Sequence, residues 1–218
     1  IASVKAGSNY PTLRDSMDGQ FTGKFGARHV IQPRLYLGKG VDAELNGQPD
    51  NDAGSKAGGD DDDQSKFVKG DGTDDESGVL LLSPLLPGER AFIKVNYTSQ
   101  DTTTGSYVNK DAYLTAFIDW NGDGDFVTPL GAPDDDEWIV FTHKKASGAN
   151  FNIDNIADVA DVKTMVLNPT GTTGVDSVIL GFNVPNHAVF DSGVVYMRFR
   201  LSWTNYETQF PIAFPNGL

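Results

Sequence analysis

Apolar and polar residues alternate along several stretches of the chain, and a period of two marks strands rather than helices. The cleanest run is Ala91 to Thr98, with Ile93, Val95 and Tyr97 on one face and Lys94 and Asn96 on the other. Val178, Leu180, Phe182 and Val184 repeat the pattern. Val194 to Trp203 places Val195, Met197, Phe199 and Leu201 inward and Tyr196, Arg198, Arg200 and Ser202 outward. Tyr113 to Trp120 and Trp138 to Thr142 read as strands that enter and leave one loop, together a long-tipped hairpin. Val79 to Leu82 is a short apolar run closed by a Pro-Leu-Leu-Pro-Gly turn. Val30 to Leu37 is apolar enough for a strand, but Pro33 removes a donor and points to an edge or an irregular segment. Ser99 to Asn109 reads as a polar loop, and Ile1 to Gly26 as an extended lead-in.

Seven or so strands at irregular spacing, with many turn signals and little helix, predict an all-β fold: an antiparallel β-sandwich. At 218 residues the chain is expected to form one domain, 1–218, with a real core. Two long segments interrupt the strands. Residues 38–78 form an acidic loop far longer than an ordinary connection, and such loops are usually functional or disordered. Residues 144–176 look like an insertion, in which Asp154 would cap a short helix through Met165 with Ile156, Val159 and Val162 on one face.

Charge changes this picture. The net charge of −13 argues against nucleic acids and anionic lipid surfaces, which need a basic patch. Nineteen of the thirty acids fall in two segments, twelve between Asp42 and Glu76 and seven between Asp119 and Glu137. Two carboxylates about 4 Å apart repel by roughly 1 kcal/mol in water and by more near a protein surface. Packing Asp60, Asp61, Asp62 and Asp63 near Asp74, Asp75 and Glu76 therefore calls for cations between them. The absence of cysteine excludes disulfides and thiol chemistry, and no apolar run is long enough to span a bilayer as a helix.

The segment Asp119-Trp120-Asn121-Gly122-Asp123-Gly124-Asp125 points to calcium as that cation, the alternative being a plain hairpin tip rich in Asp and Gly. It matches D-x-[DN]-x-[DN]-G, with oxygen-bearing side chains at alternate positions and Gly124 where such loops turn. Ca²⁺ takes six to eight oxygens, and Asp119, Asn121, Asp123 and Asp125 supply candidates. Leu130 stands where a bidentate Glu usually closes the shell, and Asp134 to Glu137 is the expected replacement, with Glu137 as the candidate ligand. Asp42 and Glu44, at strand-like spacing, could share one ion. Asp62, Asp63, Asp74, Asp75 and Glu76 complete the candidate metal set. A strand rather than a helix precedes the motif, so the ions are expected to brace a β scaffold.

Other chemistry is thinly represented. His29, His143 and His187 have no zinc-like spacing, and neither a serine-nucleophile nor a phosphate-loop motif is present, so no enzymatic activity is expected. Arg198 and Arg200 either pair with the surplus of acids or clamp a ligand carboxylate. With Asp60 and Asp61 they are the candidate ligand-binding residues. Trp120, Trp138 and Trp203 suit either burial or sugar stacking.

Several segments together resemble the GEVED-type domains of large bacterial surface and secreted proteins. They are GARHVI (Gly26 to Ile31), LYLGKGVDAELNGQP (Leu35 to Pro49), GDDDD (Gly59 to Asp63), GTDDESGV (Gly72 to Val79), LPGERAFIKV (Leu86 to Val95), YLTAFIDWNGDGDF (Tyr113 to Phe126) and VYMRFRLS (Val195 to Ser202). The acidic opening and closing motifs of that family are not found before Tyr10 or ahead of Leu218. Within the family, the chain is similar to ligand-binding domains of giant calcium-dependent RTX adhesins. That resemblance implies a β-sandwich braced by several Ca²⁺ ions, on the bacterial cell surface, that captures peptide ends of partner surface proteins. It also implies a monomeric module within a larger chain. A calcium-dependent carbohydrate-binding module and a calcium-rigidified spacer without ligand are the alternatives.

Overall fold

The computed structural model describes residues 32–38, 40, 78–102, 106–122, 137–146, 152–170, 174–189, 195 and 197–205. Among these, ten strands form two antiparallel sheets, and the only helical turn is 3-10. The strands are β1 (Leu35–Leu37), β2 (Val79–Leu81), β3 (Arg90–Asp101), β4 (Val108–Asn109), β5 (Ala112–Ile118), β6 (Phe141–Ala146), β7 (Ala157–Val162), β8 (Met165–Leu167), β9 (Val175–Asn183) and β10 (Met197–Ser202). The larger sheet runs β1-β3-β9-β6-β7, with β2 and β4 also paired to β3. The smaller runs β10-β5-β8. This is the expected all-β, antiparallel sandwich.

The core follows from the alternation. Ile93, Val95 and Tyr97 of β3 and Val178, Leu180 and Phe182 of β9 face Ala112, Leu114, Ala116 and Ile118 of β5 and Met165 and Leu167 of β8. Each Val, Leu, Ile, Phe or Met side chain among them contributes roughly 1.5–3 kcal/mol when fully withdrawn from water. Val195, Phe199 and Leu201 pack against this cluster as expected, whereas Met197 lies at the rim and is exposed. β3 runs longer than its apolar pattern: Thr98, Ser99 and Gln100 continue the strand and are buried, and β4 pairs with its end inside the segment read as a loop.

The helix expected from Asp154 to Met165 is not formed. A single 3-10 turn, Ile153–Asn155, is capped by the Asn152 side chain accepting from the Asp154 amide at 3.0 Å, and β7 and β8 follow. The helical spacing has another cause. β7 slips against β6, with His143 opposite Asp158 but Phe141 opposite Val162. The irregular ladder lets Val159 and Val162, three apart, both pack against the core, so a bulged strand imitates a helical period. β-branched Val also favours the strand. The segment 144–176 thereby supplies an outer strand to each sheet.

β1 and β2 lie end to end along one edge of β3. Leu37 is opposite Tyr97 and Val79 is opposite Val95. Between them Asn96 accepts from the Gly38 amide at 2.9 Å and donates to the Gly78 carbonyl at 2.8 Å. One interrupted strand thus covers this edge, and residues 39–77 depart and return through a single neck.

Candidate metal-binding hairpin

The hairpin that carries the D-x-N-x-D-G motif is held by both sheets. Phe117 bridges Trp138 across it, and their rings stack with centroids 5.8 Å apart. The Ile118 amide donates to Glu137 O, and the Ile139 amide to Ala116 O, both at 2.9 Å. Two residues later the same run has changed sheets, because Phe141 pairs with Phe182 of β9. The expected hairpin is therefore real at its base, but its second arm crosses from the small sheet to the large one.

Trp120 anchors the first arm. Its side chain is buried in the core beside Phe182, and its carbonyl accepts from the Val189 amide at 2.7 Å. Asp119 and Asn121, on either side of this plug, are therefore fixed in position along the chain. Asp119 is 4 % exposed, and its Oδ1 accepts from the Gly122 amide at 2.6 Å. Gly122 has φ 72°, a left-handed conformation that glycine adopts without the Cβ penalty. The chain thus begins to curl at Asp119, the first position of the motif. Gly124, expected to make the sharp turn, lies outside the described residues.

Glu137 closes the base of the hairpin from the opposite arm and is 2 % exposed. Two carboxylates withdrawn from water on neighbouring arms cost several kcal/mol each unless positive charge or hydrogen-bond donors compensate them. Asp119 and Glu137 both take part in interactions within the protein, and the segment 119–137 itself contains neither Lys nor Arg. Hard, anionic oxygen at the start and end of the loop is the donor chemistry that suits Ca²⁺, so Asp119 and Glu137 fit the ion. Among the described residues, no three His, Asp or Glu side chains converge on one point. Asp123, Asp125, Asp134, Asp135 and Asp136 lie outside the described residues, as do Asp42, Glu44, Asp60, Asp61, Asp62, Asp63, Asp74, Asp75 and Glu76.

Arg198 and Arg200 lie on β10, opposite Phe117 and Thr115 of β5. Both are half-buried and engaged in interactions, and their cross-strand neighbours Phe117 and Thr115 are buried. The three tryptophans are likewise committed. Trp120 is in the core; Trp138 donates from Nε1 to Lys163 O at 3.1 Å, with the Lys163 ammonium 4.9 Å from its ring. Trp203 donates from Nε1 to Ser99 Oγ at 3.0 Å under the Lys110 ammonium, which pairs with Asp101 at 2.8 Å.

Other titratable groups serve the scaffold. His143 is buried edge-on to Phe92, with Nδ1 2.5 Å from Thr142 Oγ1 and Nε2 2.6 Å from Asp158 Oδ1. Burial, with Asp176 and Asp111 nearby, pushes the Tyr97 hydroxyl well above its usual pKa. Burial also lowers the Lys144 ammonium. For Asp176, burial acts upward but is outweighed by the Thr170 and Ser177 amides and the Thr170 hydroxyl, leaving its carboxyl below the ordinary value.

Sequence reasoning located the hairpin but missed the neck at Gly38, Asn96 and Gly78. The signal was a glycine at each end of the acidic loop. The partner Asn96 reads simply as an outward polar position of a strand.

No known protein family, curated protein or solved structure matches this chain.

Proposed function

We propose that this chain is a calcium-dependent ligand-binding module of a bacterial surface adhesin, working outside the cell. Its occupant is the end of a peptide from a partner surface protein. The observation that carries this reading is the buried Asp119 carboxylate, which starts a tight turn beside buried Glu137 on a hairpin anchored in both sheets. A loop rooted so firmly is a rigid base for Asp119, Asn121, Asp123, Asp125 and Glu137 to hold an ion. The ion supplies a hard positive centre that neutralises the acids and attracts a carboxylate. Fixing the loop beforehand removes ordering entropy that a ligand would otherwise have to overcome. The commitments of Trp120, Trp138 and Trp203 weigh against sugar stacking, which needs an open aromatic face.

The test is a peptide and glycan array probed with and without Ca²⁺. Capture of peptides with a free C-terminus, lost in chelator, supports the reading. Capture of simple sugars would replace it with a lectin. No capture on either array, together with a calcium-dependent gain in melting temperature, would leave a spacer.

A further inference from the structure

We propose that Val189 is a positioning residue for the metal-binding hairpin: its backbone amide sets the conformation of Asn121 from outside the motif. This role rests on the calcium reading of the same hairpin and adds to it a residue that the motif does not contain.

The peptide groups on both sides of Asn121 are held by hydrogen bonds. The Trp120 carbonyl accepts from the Val189 amide at 2.7 Å, and the Gly122 amide donates to Asp119 Oδ1 at 2.6 Å. Each peptide group is a rigid plane. The first bond fixes the plane that leads into Asn121 and the second the plane that leads out, so together they set its φ and ψ. Burial of the Trp120 ring beside Phe182 does not do this alone, because a ring can stay seated while the next peptide plane rotates.

Val189 is itself held from the large sheet. Val184, just past β9, donates its amide to Glu89 O at 2.9 Å and accepts from the Gly88 amide at 3.0 Å. The Ala188 amide then closes a turn onto Pro185 O at 3.2 Å, with Ala188 seated in the core. The Val189 side chain is 43 % exposed and stands outside the core cluster, so its N–H rather than its bulk serves the hairpin. The first arm of the hairpin belongs to the small sheet through β5, and this one bond ties it across to the large sheet.

That tie matters most for a cation. Ligands drawn from alternate residues of one loop converge only when the backbone angles between them are right. Asn121 is the residue that links Asp119 to the rest of the motif. Fixing its angles before the ion arrives spares the ion the cost of ordering them. By linkage, an ion that favours this arrangement also strengthens the bond that holds it.

The test puts the α-hydroxy analogue of valine at position 189 of the whole protein, which replaces the N–H by an ester oxygen and keeps the side chain. Calcium affinity by titration calorimetry is expected to fall about tenfold, and the melting gain in calcium to shrink. Val189→Pro also lacks the N–H and should weaken calcium binding likewise, whereas Val189→Thr keeps it and should restore the affinity. In the wild type, calcium should slow hydrogen exchange of the Val189 amide, followed by NMR. Equal calcium affinity in the ester variant and the wild type would overturn the proposal and leave the calcium reading standing. So would a melting loss of the same size in calcium and in chelator, the mark of a bond that serves the fold alone. Should neither variant fold, the exchange experiment decides. A wild type that binds calcium but exchanges the Val189 amide at an unchanged rate overturns this role, and a wild type that does not bind calcium overturns both readings.

Discussion

Gly38 and Gly78 meet at a single residue: the amide of one and the carbonyl of the other bond to the two backbone groups of Asn96. Everything the chain does between residues 39 and 77 starts and finishes at that contact. Replacing residues 39–77 with about three Gly or Ser residues should therefore leave β1, β2 and the sandwich intact. Shortening the closed loop this far lowers its closure entropy by about 2 kcal/mol. Circular dichroism and a cooperative melt check the fold, and calcium titration should show fewer ions bound. Loss of the cooperative transition would mean that the excursion is part of the core.

The neck tolerates no side chain. A Cβ on Gly78 would lie 2.5 Å from Leu37 Cβ and 2.7 Å from the Gly38 nitrogen. Two of the three nearest atoms belong to the backbone, which cannot swing aside. Gly78→Ala should destabilise the protein by about 1–3 kcal/mol, read as a lower denaturation midpoint with an unchanged slope.

Calcium should raise the melting temperature, and Asp119→Ala should remove most of that gain. At a free concentration about a hundred times the dissociation constant, one ion contributes about 2.7 kcal/mol to the native state. Gly122→Ala should cost about 1–2 kcal/mol, since it forces a Cβ into the left-handed region. Equal melting curves in calcium and in chelator would remove the metal from the account.

Asp176 sets an acid-limb prediction. Its carboxyl is held below the ordinary value, so its contribution is present above the unfolded carboxylate pKa of about 3.9 and is lost as the pH falls through the lower folded value. Asp176→Asn should be less stable than the wild type at neutral pH, and the gap should close below about pH 4. Urea melts across pH 2–7 measure this. A gap that stayed constant with pH would show that the hydrogen bonds from Thr170 and Ser177 do not depend on charge.

The sequence was most legible where burial enforced alternation. Ile93, Val95, Tyr97, Val178, Leu180 and Phe182 all point where their spacing predicts, because each can satisfy only one face of its sheet. It was least legible where the ladder is irregular. Val159 and Val162 suggested a helix because a slipped strand brings residues three apart onto one face, and that slip depends on β6, whose pairing is not encoded locally. Met197 failed differently: its place in the alternation was inward, but it sits at the rim, beyond the core cluster. At the hairpin, the motif located Asp119 and Asn121, while the burial of Glu137 and Trp120 required the sheets around them.

The crossing after Ile139 gives the sandwich a mechanical property. A stretch that bonds to β5 at Ile139 and pairs with β9 at Phe141 acts as a stitch between the layers. The sheets cannot slide past each other without tearing that seam, so a pull on one layer is shared by both. Under a mechanical load the protein would then yield first at its outer strands, with the base of the hairpin among the last parts to give way.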